Sequence, residues 1–210
     1  GRMASVEMIA PAVRFDTAIA AASAVRLNQG TTLGGVYFNS THAYTLSSDG
    51  SSALALDNGA GAATVQVEQG RHQIEAALAL QSDVNLKPIS GTGLVLGGAI
   101  SGTGDLVKQN GGELTLGGAN TFDGDLRLTS GSLTLTNGAT AGTGTLAIEA
   151  NGLQVRASGA APSVLACDVA LRGATNAVIT VDPASRLELG GALRYENPAY
   201  SLIHKQGGGE

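Results

Sequence analysis

Apolar and polar residues alternate in short runs along most of the chain. Examples are Leu54-Ala-Leu56, Val65-Gln-Val67, Leu78-Ala-Leu80, Val84-Asn-Leu86, Leu94-Val-Leu96, Leu114-Thr-Leu116, Leu126-Arg-Leu128 and Leu133-Thr-Leu135. Residues two apart on an extended strand share a face, so each run turns two aliphatic side chains one way and its middle residue the other. Turn residues separate the runs: Asp57-Asn-Gly59, Ser90-Gly-Thr-Gly93, Ser101-Gly-Thr-Gly104, Asn110-Gly-Gly112, Ser130-Gly131 and Asn137-Gly138. Short strands bounded in this way predict an all-β protein. Val36-Tyr-Phe38 and Tyr44-Thr-Leu46, on either side of Asn39-Ser-Thr-His42, predict a strand–turn–strand. Only Ala18 to Val25 has a helix-forming composition, and it lacks a good N-cap. The five prolines, Pro11, Pro88, Pro162, Pro183 and Pro198, fall outside the Leu-x-Leu strands, as a hydrogen-bonded ladder requires.

Two phrases recur. Leu-x-Leu-Gly-Gly-Ala occurs at Leu94–Ala99, Leu114–Ala119 and Leu187–Ala192, and Lys108-Gln-Asn-Gly-Gly-Glu113 returns as Lys205-Gln-Gly-Gly-Gly-Glu210. Leu-x-Leu units at 94, 114 and 133 are spaced 20 and 19 residues apart. A meander sandwich, the alternative, would show hairpin signals every 8 to 12 residues or so. The longer repeat predicts a parallel β-solenoid with rungs of about 20 residues, some ten rungs and a length on the order of 50 Å. Residues 1–35 are expected to form an N-terminal segment or cap, with Gly1-Arg-Met-Ala-Ser5 as a cloning remnant. Residues 36–210 are expected to form the solenoid, cut inside a further repeat, so that the chain is a piece of something longer. Open ends would leave it able to self-associate.

Composition refines this picture. Hydrophobic residues make up 43% of the chain but aromatic residues only 3%, and Trp is absent, so the core must be aliphatic. Charged residues are 14% and Gly numbers 31 of 210, which suits flat stacked faces joined by tight corners. The net charge is −5, with three lysines and no basic run; nucleic acid is excluded as a partner and anionic membrane surfaces are disfavoured. Arg14, Asp16 and Arg26 interrupt the Ala-rich stretch Ile9–Leu27, so no transmembrane helix is predicted. The single cysteine, Cys167, cannot form an internal disulfide and lies in the apolar run Val164–Val169, where a buried small side chain is expected.

Candidate chemistry is sparse. Gly91-Thr-Gly93, Gly102-Thr-Gly104 and Gly142-Thr-Gly144 are one repeated turn, and none continues as a nucleotide-binding fingerprint. His42, His72 and His204 are the only histidines. Ser40 stands near His42 without any nucleophile elbow. Asp123 and Asp125, with Asp105 near in sequence, are candidate ligands for a hard cation. They lack the spacing of calcium-binding repeats, and turn acids at a solvated corner are the competing role. A carbohydrate-cleaving groove would need paired carboxylates, and the acids do not recur at one rung position. No catalytic residue, cofactor or metal is expected.

Gly104 to Leu135 forms one extended phrase with the skeleton Gly104, Leu106, Lys108, Gly112, Leu114, Leu116, Gly118, Asn120, Phe122, Gly124, Leu128, Gly131, Leu133 and Leu135. It resembles the passenger-associated transport repeat, the autotransporter-associated β-strand repeat of bacterial surface proteins. Asn110, Asp123 and Asp125 depart from the family pattern; Asn110 stands where Gly is usual, a position Asn tolerates in the left-handed region. A second copy begins near Leu202.

The resemblance implies a right-handed β-helix in an exported passenger, carried over the outer membrane with the help of a C-terminal barrel of the same parent chain. The expected role is a rigid stalk at the cell surface or in secreted form, supporting export and adhesion, with a host-surface protein or glycan as partner. The alternative is a non-catalytic accessory stalk of a larger extracellular carbohydrate-active or other enzyme.

Overall fold

The computed structural model describes residues 11–17, 19–150, 153–172, 176–196 and 202–210, with backbone alone for 153, 176 and 202–204. All regular structure among them is β, and the named strands pair in parallel. The chain is a parallel β-solenoid of about eight turns with rungs near 22 residues. It visits three faces in turn. The first carries nine strands, from Ala12–Phe15 to Leu193–Tyr195, and the second nine more, from Ser23–Leu27 to Leu202–Gln206. The third face is discontinuous: four strands from Thr31–Leu33 to Ile100–Gly102, then the pair Ser163–Leu165 and Leu187–Leu189.

Rung length varies more than the sequence suggested. Leu106, Leu126 and Leu146 are in register at steps of 20 residues, whereas Gly35 pairs with Thr64, a step of 29. Fewer rungs fit, and a nine-strand face spans about 38 Å at about 4.8 Å per step. Among the described residues the first ladder pair is Ala12 with Gly35, inside the segment 1–35 expected to be an N-terminal segment or cap. Ser23–Leu27 is a strand rather than part of a helix; Val25 and Leu27 face inward and Ala24 and Arg26 outward, paired with Tyr44–Ser48. Pro88 closes its strand, opposite Val67.

The core is two stacks of inward side chains plus the inner side of the third face. On the first face Val36, Val65, Leu86, Lys108, Leu128, Ile148 and Leu171 stand in register, all fully buried. On the second, His72, Leu94, Leu114, Leu133, Val155 and Ile179 do the same. The first and last residue of each of the eight alternating runs is buried. Each buried Leu removes enough apolar surface for about 1.5–3 kcal/mol, which lets an aliphatic core suffice without tryptophan.

Glycine is required where corners stack. A Cβ on Gly98 would strike the Ala76 carbonyl on the rung below, and one on Gly118 the Gly98 carbonyl. Gly104, Gly124 and Gly144 form a second such column, each lying over the carbonyl of the residue beneath. The repeated phrases do not keep to one face, however. Leu94–Leu96 and Leu114–Leu116 pair on the second face, but Leu187–Leu189 pairs with Ser163–Leu165 on the third. The phrase encodes a strand followed by a corner, and any face can use it.

Candidate functional site

The polar residues that enter the core are corner fasteners. Lys108 occupies an inward position between Leu86 and Leu128. Its Nζ donates to the carbonyls of Gln109 (2.9 Å), Asn110 (2.7 Å) and Ser130 (3.0 Å), the three donors of an ammonium matched by three acceptors. Burial pushes its pKa down to about 8. Asn110 takes φ +60°, the left-handed region that Gly207 (φ +85°) also takes in the second Lys-Gln phrase. Gly131 sits over the ammonium, where a Cβ would collide with Nζ and the Asn110 carbonyl.

Lys205 repeats the device on another face. It is in register with Ile179 in the inward column of the second face, and its Nζ donates to the carbonyls of Gly207 (3.0 Å) and Gly209 (2.6 Å). The turns beneath the two lysines match. Thr92 N–H bonds the Ile89 carbonyl over Gly91 (φ +83°), and Ser185 N–H bonds the Asp182 carbonyl over Ala184 (φ +62°). Lysine and its following glycines are one corner module, serving the first-to-second corner at 108 and the second-to-third corner at 205.

Asn120 joins three rungs at the third face. Its Oδ1 accepts the Ile100 N–H (3.0 Å) from the rung below, and its Nδ2 donates to the Thr140 carbonyl (2.6 Å) above. Thr140 Oγ1 accepts the Asn120 N–H (2.6 Å) and donates to the Asn120 carbonyl (2.7 Å). Phe122 is fully buried beneath Gly142, whose missing side chain leaves room for the ring.

An aspartate ladder runs up the corner that enters the first face. Asp83 Oδ1 accepts the Asp105 N–H (3.0 Å), Asp105 Oδ1 the Asp125 N–H (2.8 Å), and Asp125 Oδ1 the Thr145 N–H (2.9 Å). Asp168 continues it onto the Ala192 N–H (2.8 Å). These carboxylates replace ladder acceptors between rungs. Asp125 also meets Arg172 at 3.3 Å, and Asp123 accepts from the Thr143 hydroxyl at 2.8 Å. The two candidate metal ligands therefore face separate partners, and among the described residues no three His, Cys, Asp or Glu side chains gather to hold a metal.

The remaining candidates are likewise dispersed. Ser40 Oγ accepts the His42 backbone N–H at 3.1 Å, so the pair is joined through the main chain rather than through the imidazole. His72 is fully buried between Phe38 and Tyr44. The His204 side chain lies outside the described residues. Cys167 is buried, and burial pushes its thiol pKa up, away from reactivity. Gly91, Gly102 and Gly142 all take positive φ, of +83°, +112° and +85°, but the three Gly-Thr-Gly segments are not one turn. Thr92 N–H bonds the Ile89 carbonyl of its own corner, whereas Thr103 and Thr143 N–H bond the Leu80 and Phe122 carbonyls of the rung beneath. Sequence reasoning missed the internal roles of Lys108 and His72. The signal available was a polar residue on the apolar phase of an alternating run, as in Leu106-Val-Lys108.

The described surface offers little concavity. A hollow of about 170 Å³ opens at the last rung, lined by Ile179, Val181, Leu187, Leu189, Lys205 and Glu210. Comparison with family models, with curated proteins and with solved structures gives no match.

Proposed function

We propose that the chain is a structural and interaction segment: a rigid β-solenoid stalk within a secreted or surface-displayed passenger of the autotransporter type. The observation that carries this reading is the phrase Gly104–Leu135. Its skeleton residues occupy the part of the solenoid with 20-residue steps, and Lys108, Asn120, Gly124 and Gly131 each make an inter-rung contact there. Such a sequence is specified for stacking. The polar groups with perturbed surroundings support a non-catalytic role, because Lys108 and His72 are each consumed by backbone partners. Rungs that pack only on their neighbours can fold progressively as a chain emerges from a membrane, and that folding would assist export. The exposed corners would meet a host protein or glycan.

Protease treatment of intact cells of the source organism tests the proposal. Release of peptides from 36–210, from a chain whose remainder stays in the outer membrane as a barrel, is the expected result. Recovery of the chain only from the cell interior refutes it. Catalytic activity of the parent that survives removal of 36–210 would assign the segment to an enzyme as its accessory stalk instead. Leu114→Asp, which places an unpaired charge in the stack, should abolish surface release if rung folding assists export.

A further inference from the structure

His72 is a buried polar side chain in the inward column of the second face, below Leu94, Leu114 and Leu133. It is fully buried, and both ring nitrogens are engaged. Nδ1 accepts the Tyr44 backbone N–H at 3.0 Å, and Nε2 lies 2.8 Å from the Gln69 carbonyl. A backbone N–H can only donate and a carbonyl only accept, so these two partners dictate the neutral tautomer with its proton on Nε2. The registered ladder between Tyr44–Ser48 and Arg71–Ile74 begins at Thr45. The imidazole supplies the acceptor that Tyr44 N–H needs at the start of that strand.

The ring is also the inner member of an aromatic stack. Phe38 lies parallel to it with centroids 4.5 Å apart, Phe15 stacks on Phe38 at 5.2 Å, and Tyr44 is 5.9 Å away. The Tyr44 hydroxyl donates to the Asp16 carbonyl at 2.9 Å, tying in the first rung. Through Phe38 and Tyr44 the imidazole is thus linked across three successive rungs.

We propose that His72 is an acid-sensitive latch: the neutral ring closes the N-terminal rungs, and protonation at Nδ1 opens them. A proton on Nδ1 would point at the Tyr44 N–H, donor against donor. Among the described residues no carboxylate is placed to stabilise the imidazolium. The first rung presents Phe15 and the backbone of Asp16, the Gly35–Asn39 strand and its corner present Phe38 and Ser40, and the next rung presents Leu94. Arg71 is turned outward onto Glu113 at 2.7 Å, Arg14 is drawn to Asp16 and Glu68 at 3.9 and 3.7 Å, and His42 is exposed. Burial pushes the His72 pKa below its ordinary value of 6.5, with the backbone groups of Gln69 and Ser40 opposing. The open state therefore binds the proton more readily. The contribution of the latch is complete above pH 6.5 or so and is lost as the pH falls through the depressed folded-state value. Because rungs stabilise only their neighbours, opening stays local. The inference stands apart from the proposed stalk function.

Amide hydrogen exchange on the whole chain at about pH 7.5 and about pH 5, corrected for intrinsic rates, tests it. Protection of Tyr44, Leu46 and Ile74 should fall in acid, by up to about tenfold for each unit of pKa depression that is traversed, while Leu116 and Leu135 keep theirs. His72→Asn retains an acceptor for Tyr44 N–H without titrating, and His72→Leu restores the column residue; both should remove the acid-dependent loss. Retained protection at Tyr44 in acid, uniform loss along the rod, or an unchanged acid response in both variants overturns the proposal. Should neither variant fold, the ring resonances of wild-type His72 decide: a titration at or above the free value refutes the latch.

Discussion

The Nζ of Lys108 lies 3.0 Å from the carbonyl oxygen of Ser130, one rung further along the solenoid. This bond locks two rungs together from inside the core, at a position where the neighbouring rungs carry Leu86 and Leu128. Lys108→Met keeps most of the unbranched side chain but removes the ammonium and its charge. It would strand carbonyls that now have a donor, each costing about 1–3 kcal/mol. A net loss of about 2–4 kcal/mol is expected by urea unfolding at neutral pH. A variant as stable as the wild type would show that the ammonium only fills space.

The same lysine sets a pH dependence on the alkaline side. Its folded-state pKa, about 8, is below its ordinary 10.5, so between those values the unfolded chain binds more protons. Stability should therefore rise with pH across that window, and the slope should vanish in Lys108→Met. Thermal melts at intervals from about pH 7.5 to about pH 10.5 check the sign. A decline with pH that Lys108→Met removes would mean that the three carbonyls raise the pKa more than burial lowers it.

Stacked glycines make a sharper test of the corners. Gly124→Ala sets a methyl against the Gly104 carbonyl, and the rigid backbone below cannot withdraw. The expected loss is about 1–3 kcal/mol. Gly30 has ordinary φ and only the Ala53 carbonyl near its Cβ position, at 3.9 Å, so Gly30→Ala should change stability by less than about 0.5 kcal/mol. Equal effects at the two sites would remove close stacking as the reason for the glycines.

Asn120 can be tested by charge and by chemistry. In Asn120→Asp, a carboxylate oxygen would replace Nδ2 opposite the Thr140 carbonyl, acceptor against acceptor, in a buried position. A loss of about 2–4 kcal/mol at pH 7 is expected. Burial and the facing carbonyl raise the pKa of the new acid, so the loss is relieved in part as the pH falls toward the ordinary carboxyl value. Unfolding curves at two pH values separate these effects.

The ion pair Arg127–Glu149, at 2.8 Å, is an expected contrast. Its side chains are 41% and 20% exposed, so water and salt weaken it. Arg127→Ala should cost less than about 1 kcal/mol, and added salt should shrink that difference. A larger, salt-insensitive loss would give the outer faces a structural weight now assigned to the core.

The amino-acid sequence by itself determined the class of fold. Leu-x-Leu alternation states which side chains go inward, and Gly, Asn and Ser mark the corners; both are local properties that survive without knowledge of partners. The register of Leu94, Leu114 and Leu133 was legible for the same reason, because equal spacing leaves one way to stack them. Tertiary structure decided which face each phrase would occupy. Leu187–Leu189 and Lys205 repeat earlier phrases but stand one face further round, since rungs of unequal length shift the phase of everything downstream. It also decided that Lys108 and His72 point into the core rather than to water. An inward polar side chain is tolerable only where backbone groups of other rungs meet it, and those groups lie close in space but 3 to 28 residues away in the chain for His72 and up to 22 for Lys108.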